Sequence, residues 1–439
     1  MAKEADYKPF KGGVNRIFAG DKVMWIVIII LLVYSLFVVY STTAYDDATN
    51  ANQELIRQIL FICIGMTGFY VAQITPIRWY RRLNVPFFLL AMSLTLVMIA
   101  THDKEGAARG LQIVRGLYIQ PFEMLKFATV INLAAQLSIR QKKMDKLRIM
   151  PSFRAEDWRE RKSEQVEILT TQTIPLLLPI AICCATTVKF SNSTTLIIAT
   201  SCLAMMYLSR INKRDLAKIV LVGVLVGGCV VGAYGVKNGR LGTLQGRVSS
   251  WVPDVVTKSV KVGEQDGKEY YLRHKDKDGQ DKEHDQTVYA KMSVASGGLL
   301  GKGPGHSTNR YLAEADKDMA YAFLIEEYGL IFGGLVMLFA YLLMFYRSLE
   351  IFHKCGTAFP GLLVLGIGTV IVLQAFLHML VSVSLFPLTG QQLPIVSKGG
   401  TSLVITLTML GVLMGVSARA EEEEAERQRR RAERTAEQK

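Results

Sequence analysis

The sequence predicts an all-α polytopic membrane protein: ten transmembrane helices with one large extracytoplasmic loop between helices 7 and 8. Three observations carry that prediction. Half of the 439 residues are hydrophobic, with a mean hydropathy of +0.25, and they come in blocks divided by charged loops. Blocks of ~20 apolar residues are what a helix needs to cross a hydrocarbon core of ~30 Å. Basic residues also crowd alternate short loops, the asymmetry that orients a chain in a bilayer.

The polar segment 1–22 precedes the first block, Val23–Thr42, which is too long for the apolar core of a cleavable leader and reads as a retained anchor. Further blocks follow at Leu55–Ile74, Asn84–Thr101, Phe122–Ser138, Ile174–Val188, Thr194–Ser209 and Leu216–Val236. The last three are Met319–Tyr346, Ala358–Ser382 and Gly399–Ser417. The fifth and sixth are short, and Pro175 and Pro179 interrupt the fifth. A re-entrant hairpin there would leave the orientation of everything downstream unchanged. Lys3, Lys8, Lys11, Arg16 and Lys22 precede the first span, and Arg78, Arg81 and Arg82 sit between the second and third. Nine Lys or Arg lie between Arg140 and Lys162, whereas Thr43 to Glu54 has none. Both termini are therefore expected in the cytoplasm.

The membrane domain then covers 23–417, with a charged cytoplasmic tail at 418–439. The net charge of +13 follows the inner loops, so it speaks for the bilayer and against nucleic acid. Of the six cysteines, Cys63, Cys183, Cys184, Cys202 and Cys229 lie in apolar spans and Cys355 in a short loop. No extracytoplasmic disulfide framework is predicted.

The long loop, 237–318, has two parts. Val260 to Asp285 is highly charged and contains the turn formers Asp266-Gly267 and Asp278-Gly279, which predict a surface β-hairpin. Asp276, Asp278, Asp281 and Glu283 lack the spacing of a calcium loop. Tyr289 to Ala295 reads as a short amphipathic helix. The tail alternates Glu and Arg without an apolar face, as a solvated, partly helical segment does.

Four segments carry chemical interest. In the first, Gly297, Gly298, Gly301, Gly303 and Gly305 form a run beside Lys302 and Arg310. Its spacing fails the nucleotide-binding P-loop pattern; a diphosphate held by backbone and cations, or a plain flexible turn, suits it equally. Glu314, Asp316 and Asp318 follow at the mouth of a span, where a carboxylate is costly unless used or paired. Glu326 and Glu327 lie deeper, so at least one is expected to be paired or to face a cavity. In the second segment, Glu123 and Lys126 are three residues apart on a helix and share a face. The third, Pro387 to Gly390, and the fourth, Pro394 to Ser402, are broken backbone at a span boundary, tolerated where it lines a cavity or is buried in protein. Lys398 lies there, either meeting an anionic headgroup or serving as an interfacial lysine. His378 stands alone in its span, a position more often hydrogen-bonded to a neighbouring helix than catalytic. The histidines show no metal-ligand spacing.

Taken together, Gln120–Lys126, Ser296–Gly305, Leu312–Gly329 and Leu385–Ser402 resemble the signature segments of the SEDS family (shape, elongation, division and sporulation), membrane peptidoglycan polymerases. The likeness spans nearly all ten helices, and Tyr328 with Ser397–Thr401 is closer to the FtsW-like division branch than to RodA. Some positions depart from the family pattern. Gly110 follows Arg109 where tryptophan is usual, and Phe122 replaces a serine. Asp316-Lys317 replaces His-Thr, and Ala313 replaces a proline. The aspartate itself is kept as Asp318.

The resemblance implies polymerisation of lipid II at the cell membrane during division, with release of undecaprenyl diphosphate. It implies Asp318 as general base. Arg109, Lys302, Arg310, Glu314 and Lys398 would contact substrate, with Glu123 and Lys126 shaping the cavity. It also implies a class B penicillin-binding protein and other division-machinery proteins as partners, and leaves room for a divalent cation (Mg or Mn) at the diphosphate. A lipid II flippase or a non-catalytic division scaffold would use the same helices. The outer-loop carboxylate and the absence of an evident inverted repeat favour the enzyme.

Overall fold

The computed structural model describes residues 18–44, 48–101, 111–114, 117–141, 149–152, 159, 161–188, 191–238, 261–265, 268–271, 284–307, 317–387 and 389–437. Helices occupy every position where a span is expected. Helix α1 is Lys22–Ala44, α2 Ala48–Ile74, α3 the short Ile77–Arg82 and α4 Asn84–Thr101. After α5, Pro121–Arg140, come α6 (Lys162–Ile168), α7 (Ile174–Val188), α8 (Asn192–Leu208) and α9 (Lys213–Asn238). Helix α10 is His284–Gly297, α11 Ala320–Gly329, α12 Val336–Lys354, α13 Ala358–Ser382 and α14 Thr401–Glu437. Among the described residues, eight helical segments are long and apolar enough to cross a membrane, and α8 is a shorter apolar helix.

Several spans shift at their ends, the second beginning at Ala48 rather than Leu55, and three differ in form for a physical reason. The fifth is not short: α6 runs through a π-helical turn, Leu169–Thr173, into α7, giving 27 continuous residues, Lys162–Val188. Its first half is polar but rich in good helix formers. The eighth is broken where Gly329 adopts φ +75° and Leu330–Leu335 form a second π-helical turn. The tenth does not stop at Ser417 but continues as one helix to Glu437.

Two small antiparallel hairpins complete the described structure. Strand β1 (Leu111–Val114) pairs with β2 (Leu117–Ile119), with a bulge between Gln112 and Val114. Strand β3 (Lys261–Gln265) pairs with β4 (Lys268–Tyr271), aligning Gln265 with Lys268 across Asp266-Gly267. This is the hairpin that those turn formers predict.

Helix α13 is the centre of the bundle, buried along most of its length and packed against α5, α8, α12 and α14. Close approach of α2 and α14 depends on small residues, as is usual where helices pack without a difference in hydrophobicity to drive them. A Cβ on Gly411 would lie 2.2 Å from the Phe69 carbonyl oxygen, and one on Gly415 2.4 Å from that of Gln73. At one end Asp21 draws three helices together. Its carboxylate accepts the Met24 N–H at 2.9 Å, capping α1, and pairs with Arg347 of α12, while its own N–H donates to Ser417 of α14 at 3.1 Å.

Candidate functional site

The site is built where the Pro/Gly segment 389–400 folds back against the start of α11. The cap position of helix α11 is Met319, whose side chain, a weak acceptor at best, makes no capping hydrogen bond. The cap comes instead from α13: buried His378 accepts the Tyr321 N–H on Nε2 at 3.4 Å. Its Nδ1–H donates to the Gln391 carbonyl at 2.7 Å. A carbonyl can only accept, so this bond fixes the neutral tautomer in which Nε2 is free to accept. Gln391 is itself anchored, donating to Ser193 Oγ at 2.9 Å and Thr194 Oγ1 at 3.1 Å. On the other side of Asp318, the Ser397 hydroxyl donates to the Lys317 carbonyl at 2.8 Å and accepts the Leu393 N–H at 2.9 Å. Asp318 is half-buried between these two anchors and within electrostatic reach of the His378 ring.

A second polar line joins the same segment to α5. Lys126, 1% exposed, donates to Glu123 Oε1 at 2.7 Å and to the Gln374 side-chain oxygen. Gln374 donates in turn to the Gln392 carbonyl at 3.1 Å, and the Gln392 side chain accepts from Ser402 at 2.8 Å. At the start of α5, the Gln120 N–H meets Thr401 at 3.1 Å. The pair expected from the spacing of Glu123 and Lys126 is thus present. A buried ammonium with two close acceptors avoids most of the several kcal/mol that an unpaired buried charge costs.

The glycine run, whose composition leaves a diphosphate cradle and a plain flexible turn equally open, is a packed element. It packs against the break in the eighth span. Lys302 and Gly303 donate their N–H groups to the carbonyls of Glu326 and Glu327 at 3.0 and 2.9 Å, and Leu330 and Ile331 donate back to Gly298 and Leu299. Gly305 N–H donates to the Glu327 carboxylate at 3.0 Å. These bonds satisfy backbone freed by the break, which inside a membrane protein must find internal partners. They also leave those amides unavailable to a ligand.

Glu326, fully buried, is paired with Lys302 at 2.7 Å and accepts from Ser307 at 2.8 Å. Glu327 accepts from Ser41. Both carboxylates are therefore partnered, where at least one was expected to be. Lys398 lies 3.5 Å from Glu54 of α2. Arg109, Arg310 and Glu314 fall outside the described residues.

Sequence reasoning gave no role to Gln374, Gln391 or Gln392, and left His378 as a helix-bonded residue. A signal was present for two of them. Gln374 and His378 are four residues apart inside an otherwise apolar helix, hence on one face, and polar groups at that depth mark an interior-facing stripe.

The whole chain can be set beside known proteins on this geometry. It is 24% identical over 398 residues to the probable peptidoglycan glycosyltransferase FtsW of Bacillus subtilis, covering 89% of this chain and 88% of that protein. It is 26% identical over 414 residues to the stage V sporulation protein E of the same organism, covering 90% and 96%. Among solved structures, a chain from a peptidoglycan synthase complex that coordinates polymerization and crosslinking superposes with a TM-score of 0.65. That match covers 92% of this chain and 98% of the other at 16% identity, which speaks for the fold alone. The cell cycle protein family defined by FtsW, RodA and SpoVE matches residues 21–422, a stretch that takes in the Asp21 cap, all four signature segments and both anchors of Asp318. The chain is a member of that family.

Proposed function

We propose that this multi-pass membrane protein is a peptidoglycan glycosyltransferase of the FtsW type, joining lipid II units into glycan strands during cell division, with Asp318 as its general base. The observation that carries the reading is the double anchoring of Asp318 between Ser397 and His378. A base must be held in one geometry to take a proton in the transition state, and the backbone flanking this residue is held at the Lys317 carbonyl on one side and at the Tyr321 N–H on the other.

The 4-hydroxyl of one disaccharide attacks the anomeric carbon of another from the face opposite its diphosphate. Asp318 takes the hydroxyl proton as the new C–O bond forms. The bond to the diphosphate breaks with its electron pair, and undecaprenyl diphosphate leaves with inversion at the carbon. Lys398 and Lys302 keep exposed surface beside their glutamate partners, so each can contact anionic oxygen as charge moves onto the leaving group. Arg109, Arg310 and Glu314 complete the proposed substrate contacts. Among the described residues no three His, Cys, Asp or Glu side chains cluster to hold a metal ion. A divalent cation at the diphosphate would need ligands from the substrate or from residues outside that set.

The partner is a class B penicillin-binding protein, a transpeptidase that crosslinks the new strand, together with other membrane proteins of division. The place is the cytoplasmic membrane at the septum, with both chain termini inside. The test is incubation of purified protein with lipid II, followed by gel separation of the product. Wild type should give polymer, and Asp318→Asn should lose ~10²-fold or more of the rate, the range for loss of a general base. Intact lipid II after incubation with wild type would return the site to the transport reading.

A further inference from the structure

We propose that His378 is a positioning residue for Asp318, fixing the base by capping α11 from another helix. The inference rests on the reading of Asp318 as the base and goes beyond it by naming what holds that base in place.

Helix α11 begins in an unusual way. Helix starts need an acceptor for their first N–H groups, usually a Ser, Thr, Asp or Asn at the cap position. Here that position is Met319, with no side-chain cap, immediately after Asp318. The missing acceptor is supplied by His378 Nε2 across the helix interface. The imidazole can do this only as the tautomer protonated on Nδ1, and the Gln391 carbonyl imposes that tautomer at 2.7 Å. Gln391 is immobilised through Ser193 and Thr194 at the start of α8. A chain of three hydrogen-bonded elements, α8, the 389–400 segment and α13, therefore ends on the turn that follows Asp318.

A buried imidazole with both nitrogens engaged does not touch the substrate. Its effect on the reaction runs through backbone geometry: without the cap, the first turn of α11 is free to fray, and the carboxylate two residues before Ala320 moves with it. Displacing a reacting group by ~1 Å can lower a rate ~10²-fold while leaving ground-state binding alone. Glutamine can reproduce both bonds, because its amide carries a donor and an acceptor on one flexible stem. Leucine fills the space and reproduces neither.

The experiment measures kcat and KM for lipid II polymerisation by full-length purified His378→Leu and His378→Gln, each also placed in the Asp318→Asn background, with thermal unfolding of every variant. His378→Leu is expected to lose kcat by tenfold or more with KM within twofold of wild type. His378→Gln should recover most of that loss. In the Asp318→Asn background neither change should lower the residual rate further, because the base through which His378 acts is already gone. The inference is overturned if His378→Leu keeps wild-type kcat, if glutamine does no better than leucine, or if the loss is equally large without Asp318. It also falls if His378→Leu fails to fold while the folded His378→Gln, which retains both bonds, is as slow as Asp318→Asn. The two failures separate cleanly. Loss of activity in Asp318→Asn alongside an active His378→Leu removes only the role of His378, whereas an active Asp318→Asn removes the base assignment, and this inference with it.

Discussion

The Ser41 hydroxyl, at the far end of α1, donates a hydrogen bond to the carboxylate of Glu327 in α11. The same oxygen receives the Gly305 N–H, which also lies 3.2 Å from Ser41 Oγ. One buried carboxylate therefore holds together the first span, the glycine run and the broken eighth span. Ser41→Ala should destabilise the protein by ~1–3 kcal/mol, the penalty for withdrawing a partner from a buried polar group. Thermal unfolding in detergent would measure this. A midpoint unchanged from wild type would mean that Glu327 does not depend on α1.

The Lys126–Glu123 pair should behave as a coupled unit. Lys126→Ala leaves Glu123 beside an apolar interior and is expected to cost ~2–4 kcal/mol. The double replacement Glu123→Ala/Lys126→Ala should cost less than the sum of the singles. A double-mutant cycle on unfolding free energies decides the matter. Strict additivity would show that the 2.7 Å contact contributes nothing.

Two glycines of the same run make a controlled comparison. Gly301 has φ +83°, and a Cβ there would sit 2.2 Å from the Glu327 carbonyl oxygen; Gly305 has φ +75° with nothing within 4 Å. Alanine at Gly305 therefore meets only the left-handed backbone penalty of ~1–2 kcal/mol. Alanine at Gly301 must also push the backbone at Glu327 aside, so its unfolding midpoint should fall well below that of Gly305→Ala. Equal midpoints would argue that the run is not packed against the span break.

Orientation follows from the charged loops and can be read chemically. Single cysteines placed at Lys143, Asp278 and Arg430 in a background without native cysteines should differ in reactivity toward an impermeant maleimide added to whole spheroplasts. Only Asp278→Cys is expected to label. Labelling of Lys143→Cys would reverse the assignment of every loop that follows.

What the sequence made legible was set by the range of the physics involved. The spans are visible because apolar length is a local property, and the Glu123–Lys126 pair because three residues on a helix are neighbours. The β3–β4 hairpin was readable from its turn residues for the same reason. The extension of the fifth span through Lys162–Thr173 is invisible to hydropathy because a polar helix carries no such signal. The glycine run announced close approach but not its target, since the backbone at Glu326–Ile331 meets it through tertiary folding alone. The cap on α11 was hidden for a related reason: Met319 gives no hint that its missing acceptor comes from His378. Three of the expected substrate contacts, Arg109, Arg310 and Glu314, lie outside the described residues.

The final helix, Thr401–Glu437, is one uninterrupted element of 37 residues, about 55 Å long at the usual rise per residue. Its first two residues touch Gln120 and Gln392 beside the polar line from Glu123, and its last turns stand exposed beyond the bundle. A stiff rod of that length has no joint at which a push could be absorbed. The charged tail and the contacts at Gln120 and Gln392 therefore lie on one continuous helix, so a displacement of one end has a direct backbone route to the other.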